Sequence, residues 1–252
     1  MSSPRTSSNA ARAARILAVL GEAGAEGLSL TALAEALGDP RASVHRAVAA
    51  LADHGFVMQI GRRGNYHVGP AIHAIALKEA AVGDMTATLR PLLINVAAET
   101  GLPTFLMARA GFDSVCLDWQ SGFAQVPAMF DGIGGRLPLG VGVGGLVVLG
   151  EMDAPGREQV LRINAPRYAD WGLGETGVRD ELARYLEQGW LLVSRRSGKV
   201  DVCSLAMPVR DNVGRGGVEL AVSVLAPGRD MEAELKQRVR DSLSRHLSAM
   251  EL

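Results

Sequence analysis

The sequence predicts an α+β chain in two parts. A small helix-rich N-terminal unit ends in a two-stranded wing, and a larger C-terminal unit sets helices against an antiparallel sheet. Three observations carry this. Residues 28–69, LSLTALAEALGDPRASVHRAVAALADHGFVMQIGRRGNYHVG, hold two short amphipathic stretches split by Gly-Asp-Pro, then two β-prone runs around Gly-Arg-Arg-Gly. Beyond residue 84, short β-prone runs are interspersed with stretches of helical period. At 252 residues the chain is long enough for two cores.

The polar, Ser-rich residues 1–9 lack the apolar centre of a signal peptide and are read as a disordered tail. The N-terminal unit is placed at 10–69. A first helix over Asn9–Ala23 presents Ala13, Ile16, Leu17 and Leu20 on one face. A second starts at Ser29, a good N-cap, carries Leu30, Leu33, Ala34 and Leu37, and stops at Gly38, which tolerates a left-handed cap. A third starts with Asp39 as cap and Pro40 at its first position, and buries Val44, Val48 and Leu51. That spacing leaves Arg41, Ala42, Ser43, His45, Arg46 and Ala49 facing outward. Such a face suits a major groove: the arginines reach bases or phosphates, and the small residues let the helix approach closely. Phe56–Ile60 and Tyr66–Val68 read as wing strands, and Arg62 and Arg63 at their tip suit the DNA backbone or minor groove. The order helix, turn, helix, wing makes double-stranded DNA the expected partner.

Charge agrees in sign. Residues 1–82 carry eight Lys/Arg against six Asp/Glu, whereas 83–252 carry 18 against 21. A surplus of two is small for holding phosphates, so paired copies are expected on DNA. Pro70 opens a linker helix over 70–83 with Ile72, Ile75, Ala76 and Leu77, a face that can pair with a second copy, and Gly83-Asp84 marks the boundary to a domain over 84–252.

In that domain, helices are expected over Met85–Thr100, Gly140–Met152, Arg157–Asn164, Gly177–Gln188 and Met231–Met250. Strands are expected at Thr104–Arg109, Ser114–Gln120, Gln125–Phe130, Trp190–Arg196, Cys203–Arg210 and Val218–Leu225. The two cysteines, Cys116 and Cys203, form neither a metal-ligand pattern nor a disulfide framework, which fits a cytoplasmic setting. No apolar run approaches the roughly 18 residues that span a bilayer, so no membrane partner is expected. The five histidines form no catalytic order, and neither an enzyme activity nor a cofactor is expected.

RILAVL (15–20), LSLTALAEALGDPRASVHRAVAAL (28–51), GFV (55–57), YHVGP (66–70), GGRLPLGVGVGG (134–145) and MPVRDNVGRGGVELAVSV (207–224) together resemble the IclR-type transcriptional regulators, over nearly the whole chain after residue 9. The resemblance implies a winged helix-turn-helix, a linker helix and a GAF-like effector domain. It also implies homodimers or homotetramers on a pseudo-palindromic operator, acting as repressor or activator. Carried over by motif, the DNA contacts fall on Arg41, Ala42, Ser43, His45 and Arg46. The effector pocket falls on Val126, Met129 and the Val141, Gly142, Val143 and Gly144 turn, with a far wall of Ser194, Cys203, Ser204 and Ser223. The chain departs from the pattern at Ala32, where many members have Glu, at Gly140, where many have His, and at Ser194-Arg195-Arg196, where many have an acidic run.

The turn Gly140-Val-Gly-Val-Gly-Gly145 opens a helix with little side-chain bulk, so its N–H groups and dipole suit a carboxylate. Serine hydroxyls and an apolar wall then favour a small organic acid as effector, which Arg195 or Arg196 can face. Two other readings stay open: a ligand-independent DNA-binding repressor, and a nicotinamide-binding enzyme. The latter rests on Gly140-x-Gly142-x-x-Gly145, a pattern that needs a preceding strand and a later acidic residue.

Overall fold

The computed structural model describes residues 8–61, 64–78, 80–130, 132–210 and 218–250. The chain divides into two compact units, Met1–Gly83 and Asp84–Leu252.

The first unit contains α1 (Ser8–Glu22), a single 3-10 turn (Gly24–Glu26), α2 (Leu30–Leu37), α3 (Arg41–Asp53), β1 (Val57–Gln59), β2 (Tyr66–Val68) and α4 (Pro70–Lys78). Ile16, Leu20, Leu33, Leu37, Val44, Val48, Leu51 and Val57 meet in one core, as the helical spacing requires. Ser29 caps α2 by accepting the Ala32 N–H at 3.1 Å, a contact of about 1 kcal/mol. Gly38 ends it in the left-handed region, φ 64°.

The start of α3 differs from expectation. Pro40 is the N-cap and gives no side-chain cap bond. Asp39 is drawn off by a stronger partner: its carboxylate takes Arg12 Nε at 2.9 Å and lies 3.9 Å from Arg15. Arg15 also donates to the Leu37 carbonyl. An ion pair across the α2–α3 turn therefore replaces a cap and fastens α1 to the two-helix unit.

The wing strands pair antiparallel, Val57 opposite Val68 and Gln59 opposite Tyr66. Leu28 adds a rung by exchanging both backbone bonds with Tyr66, at 2.9 and 2.8 Å. Gly27 permits this with φ 59°; a Cβ there would stand 2.5 Å from the Tyr66 carbonyl oxygen. The expected tip, Arg62 and Arg63, lies outside the described residues. No residue of α4 is buried in the chain, and Ile75 and Leu77 are exposed.

A second difference concerns the helix that follows. α5 (Ala80–Thr100) runs without a break through Gly83 and Asp84. One helical glycine costs only about 1 kcal/mol, which the surrounding helix formers offset, and the Thr88 hydroxyl donates back to the Asp84 carbonyl at 2.7 Å.

The second unit is built on one antiparallel six-stranded sheet in the order β5-β4-β3-β8-β7-β6. Its strands are β3 (Thr104–Ala110), β4 (Asp113–Gln120), β5 (Arg136–Pro138), β6 (Leu191–Ser197), β7 (Val200–Pro208) and β8 (Leu220–Pro227). The helices are α5, α6 (Val143–Glu151), α7 (Ala154–Tyr168), α8 (Glu175–Gln188) and α9 (Ala233–Ser248). The expected strand over Gln125–Phe130 does not form. That segment carries Pro127 and is tied to the sheet by a side chain, Ser197 Oγ donating to the Ala128 carbonyl at 3.0 Å. Arg136–Pro138 forms the edge strand instead, where a residue without an N–H is tolerated.

Strand alternation divides the sheet into two faces. Leu106, Cys203, Leu205, Val222 and Val224 pack with residues of α5 and α9 such as Leu93 and Leu243. Val193, Ala206 and Ala221 pack with α6, α7 and α8 through residues such as Leu146, Val160 and Leu182. Helix α6 is buried from Val143 to Gly150, and its glycines let it lie very close to its neighbours. A Cβ on Gly144 would stand 2.7 Å from Met107 Cγ, and one on Gly145 would stand 2.8 Å from Ser114 Oγ.

Candidate nucleic-acid interface and ligand cavity

The outward side of α3 follows from the inward one. With Val44 and Val48 buried at i and i+4, Arg41, Ala42, His45 and Arg46 are exposed and Ser43 is half-buried. Arg46 Nη2 donates to Ser43 Oγ at 3.3 Å, and neither Arg41 nor Arg46 pairs with a carboxylate among the described residues. The face is polar, cationic and low in relief, so these two guanidinium groups remain available for phosphate or base edges. Arg12 and Arg15 belong to another category, since Asp39 and the Leu37 carbonyl already engage them.

The second site is a cavity between the start of α6 and the sheet. It encloses about 50 Å³ in which the centre of a water can sit, several times the ~10–15 Å³ that one ordered water needs. Phe105, Phe130, Leu137 and Leu225 provide apolar wall. Of the residues expected here, Met129, Gly142, Val143, Gly144, Ser204 and Ser223 line it, and so does Arg195. The others are elsewhere. Val126 is half-buried in an adjoining outer groove with Trp119 and Pro127. The Val141 side chain is packed into the core of α6, α7 and α8, while its N–H donates to the Pro138 carbonyl and its carbonyl accepts from Arg195. Ser194 and Cys203 lie opposite each other across β6 and β7, on the face turned away from α6. Ser194 donates to the Arg229 carbonyl, and burial raises the Cys203 thiol pKa. Arg196 is exposed and directed to the Gly198 carbonyl.

The polar groups of the cavity are few and specific. Gly142 caps α6 with no side chain, and the first bond into the helix is Leu146 N–H to the Gly142 carbonyl at 2.9 Å. The N–H groups of Val143, Gly144 and Gly145 thus have no protein acceptor among the described residues, although all three residues are buried. Ser204 Oγ donates to the Val224 carbonyl at 3.0 Å and keeps its lone pairs. The Ser223 hydroxyl has no protein partner among the described residues. Backbone donors in a buried helical turn, such as those of Val143, Gly144 and Gly145, are costly unless something accepts from them.

The aromatic wall went unrecognised in the sequence. Phe105 meets Phe130 edge to face at 5.5 Å and stacks on Trp119 at 5.9 Å. Alternation along β3 signals that Phe105 and Met107 share a face, but not that this face borders a cavity. The dinucleotide reading of the Gly140–Gly145 turn is overturned by the sheet, whose neighbouring strands are all antiparallel, whereas that motif needs a parallel βαβ unit.

Comparisons with known proteins bear on the family and the fold. A family model described as the IclR helix-turn-helix domain matches residues 10–61. The HTH-type transcriptional regulator Rv1719 of Mycobacterium tuberculosis is 30% identical over 230 residues, covering 89% of this chain and 85% of that protein. The HTH-type transcriptional regulator TtgV of Pseudomonas putida is 28% identical over 197 residues, covering 78% and 74%. Among solved structures, an IclR transcriptional regulator from Alicyclobacillus acidocaldarius matches with a TM-score of 0.71 at 21% identity, over 98% of both chains. An IclR homolog from Microbacterium hydrocarbonoxydans, complexed with 4-hydroxybenzoate, matches at 0.70 and 20% identity, over 97% of this chain and 99% of that one. Both structures share this fold.

Proposed function

Because the chain belongs to the IclR family of DNA-binding transcriptional regulators, we propose that its operator affinity is set by a small carboxylate bound at the start of α6. One observation carries the reading: the N–H groups of Val143, Gly144 and Gly145, in the buried first turn of α6, have no acceptor among the described residues, and these residues line an apolar cavity together with Ser204 and Ser223. A carboxylate supplies the missing acceptors, and the helix dipole favours its charge. Phe105, Phe130 and Leu225 suit a compact aromatic or branched aliphatic body. The 4-hydroxybenzoate in the Microbacterium homolog is of this class.

On the DNA side, α3 enters the major groove with Arg41, Ser43, His45 and Arg46, while Arg62 and Arg63 steady the wing on phosphates. The protein acts in the cytoplasm as a homodimer or homotetramer on a pseudo-palindromic operator. The exposed Ile75 and Leu77 of α4 support pairing of copies. The domain limits are residues 10–69 for DNA reading, 70–83 for the linker and 84–252 for the effector.

The test is selection of duplexes by the purified protein, repeated with a panel of benzoates and short fatty acids, alongside calorimetry of each acid. Acids that bind should shift operator affinity, and Val143→Trp should abolish both effects. An operator affinity indifferent to every acid favours the ligand-independent repressor.

A further inference from the structure

Arg195 is the charged side chain among the described residues that line the cavity, and its bonds are unusual for a ligand-facing cation. Nε donates to the Val141 carbonyl at 2.7 Å, Nη1 donates to Glu181 Oε1 at 2.9 Å and to the Ser194 carbonyl at 3.0 Å, and Nη2 donates to Glu181 Oε2 at 2.5 Å. A guanidinium has five N–H donors, so one hydrogen on Nη2 is left over. The pair is largely removed from water, with side chains 8% and 18% exposed. Glu181 also has a second cation within reach, Arg184 at 4.0 Å and half-exposed.

We propose that Arg195 is the counter-ion of the effector's carboxylate, held by Glu181 until the ligand takes over its Nη2 edge. The inference rests on the reading of the cavity as a carboxylate site, and it adds how that site selects and what binding changes. One guanidinium joins three elements: β6 through its own backbone, the α6 turn through Val141, and α8 through Glu181. A carboxylate accepting from Gly144 and Gly145 lies beside the same turn that Arg195 holds. As it draws the guanidinium, Glu181 is left to Arg184, and the tie between β6 and α8 slackens. A neutral ligand of the same shape leaves the ion pair intact. The exchange therefore gives anions a differential contact between two arrangements of the domain, which any ligand-driven shift requires.

Glu181 also tempers the site. A buried guanidinium with no partner would attract any small anion, whereas a paired one yields only to a ligand that brings apolar contacts as well. Selectivity for a carboxylate over its amide is the expected signature, since Arg195 adds to the charge preference of the α6 dipole while the apolar walls add nothing.

The experiment is calorimetry on the full chain with benzoate, benzamide and hexanoate. The wild type should bind a carboxylate and prefer benzoate to benzamide. Glu181→Gln keeps the side-chain shape and should tighten benzoate by about tenfold, the order expected for releasing one charge-assisted hydrogen bond, with benzamide unchanged. Replacing both partners, Arg195→Met with Glu181→Met, should shrink the preference for benzoate to the part that the α6 dipole supplies, with a melting curve showing the fold retained. If the wild type binds a carboxylate and Glu181→Gln leaves that affinity unchanged or weaker, the exchange is overturned while the cavity reading stands. If the wild type binds neither carboxylate, the cavity reading fails and the exchange with it.

Discussion

Salt-dependent DNA binding should separate two kinds of arginine in the N-terminal unit. Arg41 is exposed on α3 with no carboxylate partner among the described residues, whereas Arg12 is held 2.9 Å from Asp39 with a side chain 16% exposed. Each phosphate neutralised contributes about −0.9 to the slope of log affinity against log salt. Arg41→Ala should flatten that slope by about 0.9 per bound subunit, or about three- to fourfold in affinity over a roughly fourfold range of salt. Arg12→Ala should leave the slope unchanged and act on stability. It strands Asp39, 21% exposed, with Arg15 at 3.9 Å as the remaining cation, a loss of about 1–3 kcal/mol. In a unit this small, about 1 kcal/mol lowers the melting temperature by roughly 4–8 °C. Anisotropy of a labelled duplex of arbitrary sequence, titrated at several salt concentrations, reads the slope without knowledge of the operator. Thermal melts read the stability. Equal flattening by both substitutions, or none from Arg41→Ala, would refute the division.

Two further outcomes concern the second unit. Gly140 has φ 106°, and a Cβ there would lie 2.6 Å from Tyr168 Oη, which donates to the Leu139 carbonyl. Gly140→Ala should therefore lower stability by about 1–3 kcal/mol, measured by urea melts; an unchanged midpoint would contradict the strain argument. Burial opposes ionisation of Glu151, but hydrogen bonds from Arg210 at 3.0 and 3.1 Å and from Tyr185 at 2.5 Å outweigh it and hold its pKa below the ordinary value. A depressed folded-state pKa contributes stability above the unfolded pKa of about 4.3 and loses it as pH falls through the folded value. The stability gap between the wild type and Glu151→Gln should thus narrow below about pH 4.3, and a gap constant with pH would remove the carboxylate from the acid response.

The reading helix was legible because its pattern is local. Val44, Val48 and Leu51 settle which side faces inward whatever surrounds them, and the exposed residues follow. Asp39 shows where local reasoning stops. A cap is judged from neighbours in sequence, but its partner Arg12 lies 27 residues away. The cavity wall failed for a related reason. Alternation says that Ser194 and Ser204 each share a face with residues two away, but only register relates one strand to the next. Val193 stands opposite Ser204 and Ser194 opposite Cys203, so Ser204 and Arg195 share the face toward α6 while Ser194 and Cys203 share the other. A one-residue slip would invert that assignment, and nothing in either strand alone excludes it. The 125–130 segment was misjudged on propensity: its side chains border the sheet without its backbone joining it.

The cavity itself is a consequence of small residues where large ones would pack, and that makes it testable as a cost to stability. Gly144 brings α6 against Met107, while Ser223 on the central strand β8 stands 3.4 Å from where a Gly144 Cβ would be. Ser223 is 6% exposed, yet its hydroxyl has no protein partner among the described residues. A valine there would replace a hydroxyl at the cavity wall, place a β-branched residue in a strand and fill part of the space. Each buried methyl or methylene contributes about 0.8 kcal/mol. Ser223→Val should therefore stabilise the protein by about 1 kcal/mol, or roughly 2–4 °C for a unit of this size. The same change should weaken carboxylate binding. Most core substitutions destabilise, and a gain of stability coupled to a loss of ligand is what separates a functional void from a packing defect. A lower melting temperature for Ser223→Val would mean that the serine serves the fold, and the case for a site shaped around a ligand would lose its energetic basis.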